Sequence, residues 1–90
     1  MKLKEKLSKL RSQVDELDQH ILKILDTRFE LARQIGEIKY QAGIPVDDPQ
    51  RENEIINTLT EQTKLLTNDE IAQIFKPVYR ISKKFQRRID

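Results

Sequence analysis

The stretch LKEKLSKLRSQVDELDQHILKILDTRFELARQIGEIKYQA, residues 3–42, decides the fold. Apolar residues recur at alternating intervals of four and three: Leu3, Leu7, Leu10, Val14, Leu17, Ile21 and Ile24, then Leu31, Ile35 and Ile38. This rhythm keeps one helical face apolar and predicts a single amphipathic helix over residues 5–42. Gly36 interrupts it, but one interior glycine costs only about 1 kcal/mol. The segment Gly43-Ile44-Pro45 is a stronger signal and ends the helix.

At 1.5 Å per residue that helix is roughly 55 Å long, while a compact globule of 90 residues has a radius of gyration of roughly 12 Å. The rest of the chain is too short to cover it. A second copy packing along it is expected, since closed two-fold dimers are the commonest oligomers.

Downstream, Asp48 followed by Pro49 reads as an N-cap and a first-position proline, opening a second helix over residues 49–63. Ile55, Ile56 and Leu59 line one face of it, with Glu52 a turn earlier on the same face. Thr67-Asn68-Asp69-Glu70 reads as a capping box for a third helix over residues 68–88, striped by Ile71, Phe75, Val78, Phe85 and Ile89. Pro77 lies inside this helix, and a bend is expected near Ile74. The fold class is therefore all-α, with one long, one short and one medium helix in a single domain, residues 1–90. Two such chains would form an intertwined helical-bundle homodimer.

The 17 Lys and Arg against 15 Asp and Glu leave a net charge of +2, and the charges are mixed along the chain. Such a balance calls for neither nucleic acid nor membrane. Lys83, Lys84, Arg87 and Arg88 are the densest basic stretch, read as a solvated helix end complementing the helix dipole. Cysteine is absent, which removes disulfides and thiolate metal sites. Met1 to Leu10 lack a continuous apolar segment, so a cytoplasmic protein is expected.

Polar residues fall where the apolar rhythms predict apolar ones. The first helix has Arg28 at such a position and the third has Ser82. A guanidinium in an apolar stripe needs an ion pair or an anionic ligand. Lys39, about three turns beyond Arg28, returns to within ~20° of the same face, so both cations look toward one region. Ser82 and Gln86 are neighbours one turn apart. Asp48, Arg51 and Glu52 sit where the second helix presents free backbone N–H groups. Arg11 is about 25 Å along the axis from Arg28 and can join the set only from another chain. An antiparallel partner crossing between His20 and Leu25 would bring it level with the Arg28 to Lys39 region. Such a pocket offers fixed cations, a carboxylate and neutral donors, without a nucleophile dyad or metal cluster. His20, the only histidine, lies off the stripe and reads as a surface residue. The chemistry suits a polyanion that reacts without covalent help, and no cofactor is expected.

Across Leu10-Arg11 to Leu17-Asp18, Arg28-Phe29-Glu30-Leu31-Ala32, Ile35-Gly36-Glu37-Ile38-Lys39, residues 45–52 and Ser82 to Gln86, the chain resembles the all-helical chorismate mutases of the shikimate pathway. The resemblance implies a dimeric enzyme that rearranges chorismate to prephenate in a pocket built by both subunits. It further implies that Arg28 and the partner chain's copy of Arg11 hold the two carboxylates, with Ser82 and Arg51 fixing orientation. Lys39 and Gln86 would donate to the ether oxygen, Glu52 would accept from the ring hydroxyl, and Asp48 would shape that wall.

Three other readings compete. Related isochorismate-pyruvate lyases share the fold, but Ser82 and residues 48–52 look more like the mutases. A plain helical dimerisation module would leave Arg28, Lys39, Glu52 and Ser82 unexplained. A nucleic-acid role through the basic C-terminus ranks third.

Overall fold

The computed structural model describes residues 2–87, so Arg88 and Ile89 of the expected third helix lie outside the described residues. Helices α1 (Lys2–Ala42), α2 (Pro49–Gln62) and α3 (Asn68–Gln86) follow one another, and no strand occurs among the described residues. Helix α1 begins nearly a turn before the sequence-based boundary at residue 5. Leu3 already belongs to the four-three rhythm, and Glu5 places an acid in the first turn, where the dipole favours it. Gly43 then adopts a left-handed conformation, φ 68°, which stops the helix at little steric cost. The turn closes when the Ile44 N–H donates to the Lys39 carbonyl at 2.8 Å.

Asp48 caps α2 as expected, its Oδ1 accepting from the Arg51 N–H at 3.1 Å. The helix ends at Gln62, one residue before the expected boundary. Thr63 turns extended there, and its Oγ1 accepts from the N–H groups of Leu65 and Leu66. The Thr67–Glu70 capping box opens α3: Thr67 Oγ1 accepts from the Glu70 N–H, and Glu70 Oε1 accepts from the Thr67 N–H. Helix α3 runs on through Pro77 to Gln86, with Arg87 as its C-cap.

Helix α3 is the central element and packs against both α1 and α2. Its buried core joins Ile71 and Tyr79 to Ile56 of α2, with Ile55, Leu59, Ala72 and Phe75 packed around them. Tyr79, not its neighbour Val78, is the buried member of that turn. Phe29 of α1 stacks on Phe85 of α3, ring centroids 5.4 Å apart.

Gly36 sets how closely α1 and α3 approach. A Cβ there would lie 2.6 Å from Gln86 Cα, inside the backbone of α3. Gly36→Ala is therefore expected to destabilise despite alanine's better helix propensity. Overpacking against backbone costs about 1–3 kcal/mol, and 1 kcal/mol moves the midpoint of so small a domain by roughly 4–8 °C. Thermal unfolding followed by circular dichroism should show a midpoint lower by about 10 °C, after about 1 kcal/mol of propensity gain. An unchanged midpoint would mean that the two backbones part easily.

The chain is elongated, 61 × 28 × 16 Å, with a radius of gyration of 17.3 Å, well above the compact value. The excess is α1, whose N-terminal half leaves its apolar stripe bare. Leu3, Leu7, Leu10, Val14, Leu17, Ile21 and Ile24 are exposed, from 47% at Leu7 to 79% at Leu3. No helix among the described residues is long and apolar enough to cross a membrane.

Candidate active site

Where the three helices converge they enclose a cavity of about 440 Å³. Its wall includes Arg28 and Lys39 from α1, Asp48, Arg51 and Glu52 at the start of α2, and Ser82 and Gln86 from α3. Residues far apart in sequence are thus brought together as the helical spacings require. Leu31, Ala32, Ile35, Val46 and Ile55 supply an apolar lining between the charges. Arg11 stands apart, exposed on α1 and absent from this wall. His20 is on the surface, as expected.

Arg28 is held from two sides. Its Nη1 donates to Ser82 Oγ, and its guanidinium lies over the Tyr79 ring, 5.4 Å from the centroid. Ser82 is buried, 5% exposed, which explains a hydroxyl on the inner face of α3. Both contacts fix the fork of the guanidinium before any ligand arrives, and a fixed cation loses less entropy on binding. Tyr79 stays a neutral phenol, because burial pushes its pKa up, an effect that outweighs the opposing influence of Arg28.

Lys39 donates to the Val46 carbonyl at 3.1 Å, tying the loop between α1 and α2 to the cavity. An ammonium has three donors, so this bond leaves others for a ligand. The Asp48 side chain is engaged in capping α2, so it forms wall and not a free acid. Gln86 Oε1 is buried without a hydrogen-bond partner among the described residues.

Lys83 corrects the sequence reading. Expected at a solvated helix end, it instead lines the cavity, with Nζ 3.0 Å from Glu52 Oε2 and 3.3 Å from Asp47 Oδ1. Glu52 is thus paired within the chain. Hydrogen bonding to Glu52 is the main cause that raises the Lys83 pKa above its ordinary value, and it keeps the ammonium charged. The missed signal was spacing: residue 83 follows Ser82 directly and precedes Gln86 by three, which places it on the edge of the same face. Tyr79 was missed likewise, three residues before Ser82. Outside the cavity, Arg33 bridges Glu30 and Glu37 on exposed α1, a surface ladder with no part in the site.

Among the described residues no group of three or more His, Cys, Asp or Glu is placed to hold a metal ion. What the fold and cavity define is a helical protein with one pocket that gathers cations, carboxylates and neutral donors from all three helices. Residues 10–87 match the family described as chorismate mutase type II, and the chain belongs to that family. A chorismate mutase of Methanocaldococcus jannaschii is 42% identical over 66 residues, 73% of this chain and 67% of that protein. A bifunctional chorismate mutase/prephenate dehydratase of Aquifex aeolicus is 42% identical over 60 residues, but the match spans only 17% of its length. Among solved structures, a chorismate mutase (form II) of Thermus thermophilus superposes with a TM-score of 0.88 at 30% identity, covering 94% of this chain and 98% of the other. The chorismate mutase of Helicobacter pylori, solved in complex with prephenate, gives a TM-score of 0.82 at 34% identity, with 89% and 88% covered.

Proposed function

We infer that this chain is a chorismate mutase that rearranges chorismate to prephenate in aromatic amino acid biosynthesis, and that its working form is a homodimer with shared sites. The observation that carries the reading is the convergence of Arg28, Lys39, Arg51, Glu52, Ser82 and Gln86 on one cavity in a chain of this family.

Chorismate carries two carboxylates and an enolpyruvyl ether on a ring that also bears a hydroxyl. Arg28, oriented by Ser82 and Tyr79, holds one carboxylate, and Arg11 of the partner subunit reaches the other. Arg51 helps to fix the pose, Asp48 shapes the wall, and Glu52 accepts from the ring hydroxyl. Held folded, the substrate has its two bonding carbons close together, which removes much of the entropic part of the barrier. A carbon–carbon bond then forms as the ether C–O bond breaks, and negative charge grows on the ether oxygen. Lys39 and Gln86 donate to that oxygen, stabilising the transition state more than the ground state. The rearrangement is unimolecular, so no group must be supplied or removed.

The exposed apolar stripe of α1 supports the dimer, because a contiguous apolar face of that length is uncommon on a monomer. Antiparallel pairing about an axis between His20 and Leu25 would cover it and deliver Arg11. The expected result is loss of chorismate absorbance on adding the protein, with prephenate as product, and a dimer mass by sedimentation. Release of pyruvate would instead assign the chain to the related lyases, and a stable monomer would remove the shared site.

A further inference from the structure

Glu52 poses an electrostatic problem that the proposed reaction does not itself solve. The cavity is read as receiving a dianion, yet Glu52 is a carboxylate in its wall. Left alone, it would repel the substrate's own carboxylates and could swing away from the ring hydroxyl. Lys83 stands against it on the neighbouring helix, Nζ to Oε2 3.0 Å, both side chains only 26% exposed. At that exposure the pair is less screened than one on open surface. Asp47, the other carboxylate that Lys83 meets, is also held by Arg87 at 3.2 Å, so it does not depend on Lys83 alone. For Glu52 the salt bridge to Lys83 is the structural tie from α2 to α3.

We propose that Lys83 is a positioning residue of the reaction: its ammonium pins and neutralises the Glu52 carboxylate, so that Glu52 meets the substrate's ring hydroxyl without repelling the dianion. The idea rests on the chorismate mutase reading above. It assigns Lys83 no contact with the reacting atoms, and its effect falls on binding more than on the chemical step.

The test is steady-state kinetics with chorismate on the full chain and four variants. Lys83→Met should raise KM about 10- to 50-fold with kcat within about three-fold, the pattern of lost uniform binding. Lys83→Arg, which keeps the cation, should hold KM within about three-fold. In the Lys83→Met chain, adding Glu52→Gln should lower KM again by at least about five-fold, since the unpaired charge is gone while an acceptor oxygen remains. Asp47→Asn should leave KM near wild type. A merely structural Lys83 would give no such relief by Glu52→Gln. The proposal is overturned if Lys83→Met leaves KM unchanged, if Glu52→Gln fails to relieve it, or if Asp47→Asn reproduces the loss. It is equally overturned if Lys83→Met is unfolded at the assay temperature by circular dichroism, since Lys83 then serves the fold. An inactive wild-type chain would instead refute the mutase reading itself, so the two failures are distinguishable.

Discussion

Arg11→Ala and Arg28→Ala chains, each expected to be about a thousand-fold or more impaired, should recover about a quarter of wild-type activity when mixed and allowed to exchange subunits. The impairment follows from removing a cation that holds one of the substrate's two carboxylates, without which the folded pose is no longer secured. For Arg28 the loss is compounded, because Ser82 and Tyr79 lose the group they orient. The recovery follows from geometry. Arg11 and Arg28 are about 25 Å apart on one straight helix and cannot serve one small ligand from the same chain. In a heterodimer, one pocket receives the intact Arg28 of the first chain and the intact Arg11 of the second, and the other pocket lacks both. Random exchange makes half the dimers mixed, and half of their pockets are sound. Initial rates before and after exchange, with the mixed species verified by native mass spectrometry, decide the matter. A verified heterodimer without activity would refute the shared pocket.

Gln86→Glu should be active only in acid, whereas the wild type should vary little between about pH 5 and 9. The amide of Gln86 does not titrate, so it offers the same donor throughout this range. Glutamate preserves the size of the side chain but donates a hydrogen bond only when protonated. Ionised, it would face the developing oxyanion as a like charge, which reverses the sign of the stabilisation. The active form is the protonated one, so activity rises as pH falls through the carboxyl pKa and is lost as pH climbs above it. At pH 8 the variant should be at least about a hundred-fold below wild type, the scale of one lost oxyanion donor. A pH-rate profile for both proteins gives the comparison, and a variant equally active at pH 8 and pH 5 would remove Gln86 from the ether oxygen.

Much of this was legible in the sequence because it is local. Helical rhythm, the Asp48-Pro49 start, the Thr67–Glu70 box and the glycine stop each act within a few residues, and the helices begin and end close to where these signals place them. Helical spacing likewise aims Arg28, Lys39, Ser82 and Gln86 inward without knowledge of the tertiary fold. Lys83 and Gly36 were different. A helix-dipole argument sees only the end of α3 and therefore calls Lys83 solvated, whereas the carboxylates that claim it come from the loop before α2 and from α2 itself. Propensity sees Gly36 only as a weakness, since the α3 backbone that needs the space lies fifty residues on. Arg11 illustrates the same limit from the other side. Its position on α1 is a sequence property, but the role proposed for it belongs to a second molecule.

The bare stripe of α1 also changes what stability means for this protein. The buried core within one chain is small, centred on Ile56, Ile71 and Tyr79, while a larger row of leucine, isoleucine and valine waits on α1. In the proposed dimer that row is buried only between two chains, so folding and association become one equilibrium governed by mass action. Dilution then acts as a denaturant: it strips the leucine stripe of its cover and takes Arg11 out of each pocket in the same event. Abundance in the cell, rather than any residue of the cavity, would set the lower limit at which the catalyst exists at all.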